Sequence, residues 1–206
     1  VLDPLDAARL VVLAGDHVPA ALAVRLLTDA ADQAYARASA DLAVHWMHDA
    51  VHHAGRVPEP ERPALLASTL VRAAGHLDGD PARAMLLAGQ ALEVAEAAGL
   101  LVHAADAALT LARLGRSVGD AAGTRTMIER AISFVIGAPA GVELRVRETA
   151  LRLALLVEMP AGELERMVDE LRSVALAHGR PERTEAAELI LWSQGIHRFG
   201  RTDWRR

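Results

Sequence analysis

The residues best suited to chemistry lie between positions 45 and 53, where the chain reads His45-Trp46-Met47-His48-Asp49-Ala50-Val51-His52-His53. On a helix turning about 100° per residue, Asp41, His45, His48 and His52 fall within an arc of roughly 60°. His48 and His52 have the i, i+4 spacing of zinc-binding helices. The segment departs from HExxH by placing Asp49 where that motif has glutamate, and the shorter carboxylate reaches a metal-bound water less well. That weakens a metalloprotease reading. A solvated polar face opposite an Ala43/Met47/Ala50 apolar stripe accounts for the same residues with fewer demands. His48 and His52 therefore stand as weak metal candidates, with pH sensing as an alternative role, and the expected metal and cofactor content is none.

Composition narrows the chemistry further. All 22 basic residues are Arg, and the chain contains no Lys, Asn or Cys. Without Lys there is no P-loop lysine, Schiff base or lysine general base. Without Cys there is no thiolate nucleophile, disulfide or sulfur-based zinc site. No Ser-His-Asp set shares a neighbourhood, so the expectation is a protein that is not an enzyme. A formal net charge of −5 does not suit a nucleic-acid binder. No apolar run reaches the roughly 20 residues needed to cross a bilayer, and no signal peptide opens the chain, so a cytoplasmic location with no membrane partner is expected. The edges, Val1-Leu2-Asp3-Pro4 and Asp203-Trp204-Arg205-Arg206, read as internal to a longer protein.

The elements that would position these groups follow a period. Gly79-Asp80 precedes Ala84 and Ala91; Gly119-Asp120 precedes Thr124 and Ala131; Ala38-Ser39, without the glycine, precedes Ala43 and Ala50. The anchors Ala50, Ala91 and Ala131 lie 41 and 40 residues apart. A period of this length marks an α-solenoid, whose helical hairpins bury their apolar faces only by stacking. Hydrophobic residues make up 52% of the chain and aromatics 3%, a composition that suits close helix packing and makes a poor sheet. The fold class expected is all-α, a single tetratricopeptide-like solenoid over 1–206, of about five antiparallel hairpins. Caps and breakers predict helices at about 4–14, 19–37, 39–55, 61–77, 80–98, 101–116, 120–136, 142–159, one between Pro160 and Gly179, and 182–199. At the anchors, small residues let backbones approach while Val44, Met47, Leu87, Ile128 and Ile132 pack around them.

The run Ala14-Gly15-Asp16, then Ala30-Ala31-Asp32-Gln33-Ala34-Tyr35-Ala36-Arg37-Ala38, then Leu42-Ala43 with Ala50-Val51, resembles the start of the tetratricopeptide-like sensor region of large ATP-binding LuxR-type bacterial regulators, the class of the maltotriose-responsive activator. Leu77 to Ala84 and Ala91 to Gly99 match the repeat form as well. The resemblance spans about residues 5–136. It departs at Thr124, which replaces a small consensus residue, and at Gly75 and Gly115, which stand where the family usually has an aromatic. It implies a sensor region flanked by a nucleotide-binding module and a DNA-reading helix-turn-helix. This chain carries neither a GxxxxGK[ST] motif nor a basic reading helix, so DNA would be a partner only through such a flanking domain.

In this repeat class the first helix of each hairpin lines the concave groove. That makes Arg25, Asp29 and Asp32 on the second helix, and Asp106, Arg113 and Arg116 on the sixth, the candidate contacts for a peptide, a protein or a small effector. A solvated charged face explains the same residues. Arg145, Arg147, Glu148 and Arg152 read as surface or groove, and Trp192 and Trp204 as capping or docking residues. The function expected is a non-catalytic sensor and interaction region of a transcriptional regulator. The alternatives are a stand-alone interaction scaffold and, more distantly, a helical metalloprotein; exposed apolar edges also suggest homodimerisation.

Overall fold

A computed structural model describes residues 3–77 and 79–183. Among them are nine α-helices, a single 3₁₀ turn (Gly15–His17) and no strand. The helices are α1 (Pro4–Ala14), α2 (Ala20–Ala36), α3 (Ala40–Gly55), α4 (Arg62–Gly75), α5 (Pro81–Ala97), α6 (Leu101–Ser117), α7 (Ala121–Phe134), α8 (Ala140–Leu156) and α9 (Ala161–Ala177). Beyond Arg183 the predicted tenth helix, with Trp192, and the terminal Trp204 lie outside the described residues.

Two kinds of entry start six of these helices. Asp3, Asp80 and Asp120 cap α1, α5 and α7, each carboxylate accepting a backbone N–H at 2.8–3.0 Å. Pro19, Pro139 and Pro160 stand just before α2, α8 and α9 in an extended conformation, ψ 129–142°. This corrects the start predicted for α8. Gly141 belongs to its first turn, because the helix begins directly after Pro139.

Exits are shared too. In α2, α5, α6, α8 and α9 an N–H bonds back to a carbonyl five residues earlier, as in Leu100 to Ala95 and Asp120 to Gly115, 2.8 and 2.9 Å. This Schellman closure needs a left-handed residue just past the helix. Gly119 supplies it at φ 79°, and Ala38, the repeat copy without glycine, adopts φ 58° in the same role. Glu158 does likewise at φ 56°, which ends α8 earlier than the predicted Met159.

Neighbouring helices pack against one another in sequence, and α2, α4, α6 and α8 also meet in succession. The even helices thus form an inner layer and the odd helices an outer one, as stacked antiparallel hairpins require. The chain is an all-α solenoid of helical hairpins. Its anchors are fully buried: Ala43, Ala50, Ala84, Ala91, Thr124 and Ala131 are all 0% exposed. A near-continuous apolar seam runs from Ala8 on α1 to Ala175 on α9.

Of the two glycines at positions where the repeat is expected to carry an aromatic, Gly115 has a local reason. A Cβ on Gly115 would stand 2.9 Å from Thr124 Oγ1, so the α6–α7 crossing is too close for any side chain there. A Cβ on Gly75 would stand 3.9 Å from Arg113 Nη2, an ordinary contact that does not demand a glycine.

Candidate functional site

The even helices enclose a recess of about 420 Å³ between α4, α6 and α8. Ala67, Val71, Leu109 and Leu153 form its apolar floor. Ser68, Thr110 and Thr149 also line it, each hydroxyl donating to a carbonyl of its own helix at 2.9 Å. Their remaining lone pairs can accept a hydrogen bond from a ligand. The ionisable groups on the lining are Arg72, Arg113, Arg145, Asp106 and His103. Three guanidinium groups thus face one carboxylate, in a chain whose overall charge is negative.

Those groups are organised by the repeat. Asp32 on α2 pairs with Arg72 on α4 and, at 3.0 Å, with His76 Nε2. Asp106 on α6 pairs with Arg145 on α8 at 2.8 Å. Asp16 pairs with Arg56 in the same sense. In each case a carboxylate of one hairpin meets an arginine 39 or 40 residues further along, one repeat on. Each exposed pair contributes well under about 1 kcal/mol, so the pairs act mainly on register.

The predicted groove residues divide. Asp106 and Arg113 line the recess, and Asp32 anchors the pair at its α2 end. Arg25, Asp29 and Arg116 are exposed, outside the recess lining, and make no ion pair among the described residues. Arg145 belongs to the groove. Arg147 does not: it is buried between α8 and α9, donating to Glu143 and Glu170 at 3.0 Å each, which corrects its reading as surface or groove. Arg72, His76 and His103 escaped the sequence reading. Forty-residue arithmetic would have found Arg72, which stands 40 after Asp32 and 41 before Arg113.

The histidine face of α3 is on the outer layer. His45 and His48 are 63% and 69% exposed and flank Asp49, at 3.7 and 3.5 Å. No group of three or more histidine or acidic side chains among the described residues is arranged to hold a metal ion. His48 also edges a small cleft of about 50 Å³ with Val44, Met47 and Leu87. His53, in contrast, is buried, and its Nδ1 makes no hydrogen bond. Burial, then the nearby Arg56 and His52, hold its pKa below the ordinary 6.5, against a smaller opposing pull from Asp16 and Asp49.

No protein-family model and no curated protein sequence matches the chain. Among solved structures it is similar to BtubC (BKLC) from P. vanneervenii, with a TM-score of 0.54 and 16% identity over 98% of this chain and 91% of that one. At that identity the likeness concerns the fold: both are helical, repeat-like chains. Among the described residues no helix is long and apolar enough to cross a membrane.

Proposed function

We propose that this solenoid is a non-catalytic sensor and interaction module, and that its ligand occupies the concave groove over α4, α6 and α8. The observation that carries the reading is the recess itself. It joins an apolar floor to converging polar groups in about 420 Å³, within the range of small-molecule sites. Three successive hairpins contribute its walls, so a bound molecule touches the interfaces on which the array's stability depends. That is the arrangement a sensor needs: the ligand stabilises one relative placement of neighbouring repeats over others.

The resemblance to LuxR-type regulators gives the reading its finer form, in which occupancy is relayed to a flanking nucleotide-binding module and a DNA-binding domain. Residues Ala14 to Val51 support that form. The similarity of fold to BtubC supports the helical-repeat architecture alone. A stand-alone scaffold that binds a peptide along the same groove is the second reading. The extension of the inner face beyond the recess, through Asp32 and Arg72 towards Arg25 and Asp29, favours it.

A methyl-labelled sample titrated with a small-fragment library tests the site. Shift changes are expected to concentrate on Ala67, Val71, Leu109 and Leu153. Hits confined to the outer helices α3, α5 and α7 would overturn the proposal. The reading frames on either side of the chain test the relay, for which a Walker motif upstream and a helix-turn-helix downstream are expected.

A further inference from the structure

The ladder of ion pairs along the inner face has a gap, and the gap coincides with the recess. One rung joins α2 to α4 through Asp32 and Arg72, and another joins α6 to α8 through Asp106 and Arg145. Between α4 and α6 there is none. Arg113 stands one repeat after Arg72, so it occupies the arginine position of that missing rung. The facing helix α4 offers it no carboxylate: there is no Asp or Glu from Arg62 to Gly75. Arg113 is exposed and makes no ion pair or side-chain hydrogen bond among the described residues. Its guanidinium lies beside Gly75, 3.9 Å from where a Cβ would stand.

From this juxtaposition we infer that the recess binds a small organic carboxylate, whose anionic head takes the vacant rung at Arg113 and whose apolar body lies on Ala67, Val71, Leu109 and Leu153. This rests on the groove reading above and gives it a ligand class. A planar carboxylate matches the guanidinium fork of Arg113. Arg72 and Arg145 add positive potential on either side, though each already holds an aspartate. The rest of the ligand is confined by the floor to a compact apolar group. The lone pairs of Ser68, Thr110 and Thr149 accept any hydroxyl or amine it carries. Arg113 is exposed, so a neutral ligand would leave it solvated and gain nothing from it, and a dicarboxylate would set its second charge against Asp106.

The experiment is a calorimetric and NMR titration with hexanoate and 4-phenylbutyrate, beside hexanamide and 4-phenylbutyramide, which keep the shape and lose the charge. Both acids are expected to bind about two- to five-fold more tightly than their amides, the difference an exposed ion pair makes. Binding should weaken as salt is raised. Arg113→Gln should remove the preference for acid over amide without lowering the melting temperature. Arg166→Gln, an equal loss of charge on α9, should leave it intact.

Acids and amides binding equally on the inner face, or an unchanged preference in Arg113→Gln, would overturn the carboxylate assignment and leave the groove reading standing. Shift changes placed on the outer helices would overturn both. Absence of binding by all four probes at millimolar concentration, while unrelated fragments occupy the recess, would also refute the assignment.

Discussion

Replacing Gly115 by Ala should destabilise the protein when Thr124 is present and stabilise it when Thr124 is Ala. The reversal follows from one distance. An added Cβ would lie 2.9 Å from Thr124 Oγ1, closer than folded proteins allow, while its next neighbours, the Asp120 carbonyl and the Thr124 nitrogen, sit at ordinary distances of 3.6 and 3.7 Å. The threonine cannot easily retreat. It is fully buried, its hydroxyl donates to the Asp120 carbonyl at 2.6 Å, and the Ala112 carbonyl lies 3.3 Å away. Forcing a methyl into such a contact costs about 1–3 kcal/mol. Exchanging a helical glycine for alanine returns up to about 1 kcal/mol, so the net effect of Gly115→Ala, in the last turn of α6, is a loss of roughly 0–2 kcal/mol. Thr124→Ala alone should cost about 1–2 kcal/mol for its hydrogen bond and buried methyl. In that background the clash is gone and Gly115→Ala gains its full ~1 kcal/mol. Urea melts of the four proteins, followed by circular dichroism at 222 nm, measure the cycle, and the coupling should be about 1–3 kcal/mol. Thr124→Ser keeps the oxygen, so it should keep most of that coupling. Additivity within about 0.5 kcal/mol, or a stabilising Gly115→Ala beside the native threonine, would refute the claim that this hydroxyl dictates the glycine.

Three further outcomes follow from the same structure. Arg147→Met leaves the 6%-exposed Glu143 carboxylate without its cation and should cost about 3–5 kcal/mol, whereas Arg147→Met with Glu143→Leu should restore most of it; chemical denaturation reads both. His53 is held neutral in the fold, so its pKa is lower folded than unfolded. Stability should therefore be full above about pH 6.5 and fall as the pH drops below it, where the unfolded chain takes up the proton first; Trp46 fluorescence should report this in the native protein and not in His53→Leu. Ala38→Gly should stabilise by about 1 kcal/mol, because the alanine is held at φ 58°, and a thermal melt unchanged or lowered would count against that geometry.

The fold was legible because its determinants are local and repeat. Asp80-Pro81 and Gly119-Asp120 each encode a stop and a start within two residues, and alanines in phase with them show which face is buried. The α8 boundary was misplaced because Gly137-Ala-Pro139-Ala-Gly141 reads as one long turn, while the chain needs only Pro139 to enter the helix. The groove was half legible. Asp106 and Arg113 could be placed on the inner face from helix order alone. Arg72 needed the further step of counting forty residues on from Asp32, and His103 belongs to no motif. Arg147 failed for the opposite reason: an arginine between charged neighbours reads as surface, and only the packing of α9 over α8 buries it. His53 was hidden inside a histidine run, where one of four similar side chains turns inward.

The inner-face ion pairs also bear on how the groove could signal. Singly each is too weak to hold two hairpins together, but each fixes which helical turn of one repeat faces which turn of the next. The α4–α6 interface lacks such a pair; Ala67 and Leu70 of α4 share one apolar cluster with Ala104, Ala105 and Ala108 of α6, and apolar packing constrains register less. An anion at Arg113 would therefore act where the array has least electrostatic definition. Its effect should be local, because each repeat touches only its neighbours. At a hundred times its dissociation constant a ligand specific to the folded state adds about 2.7 kcal/mol, and hydrogen exchange should register that gain across α4 to α8 while α1 to α3 exchange as before. A gain spread evenly over all helices would mean that the array responds as one block, and the stacked-hairpin account of its energetics would have to be abandoned.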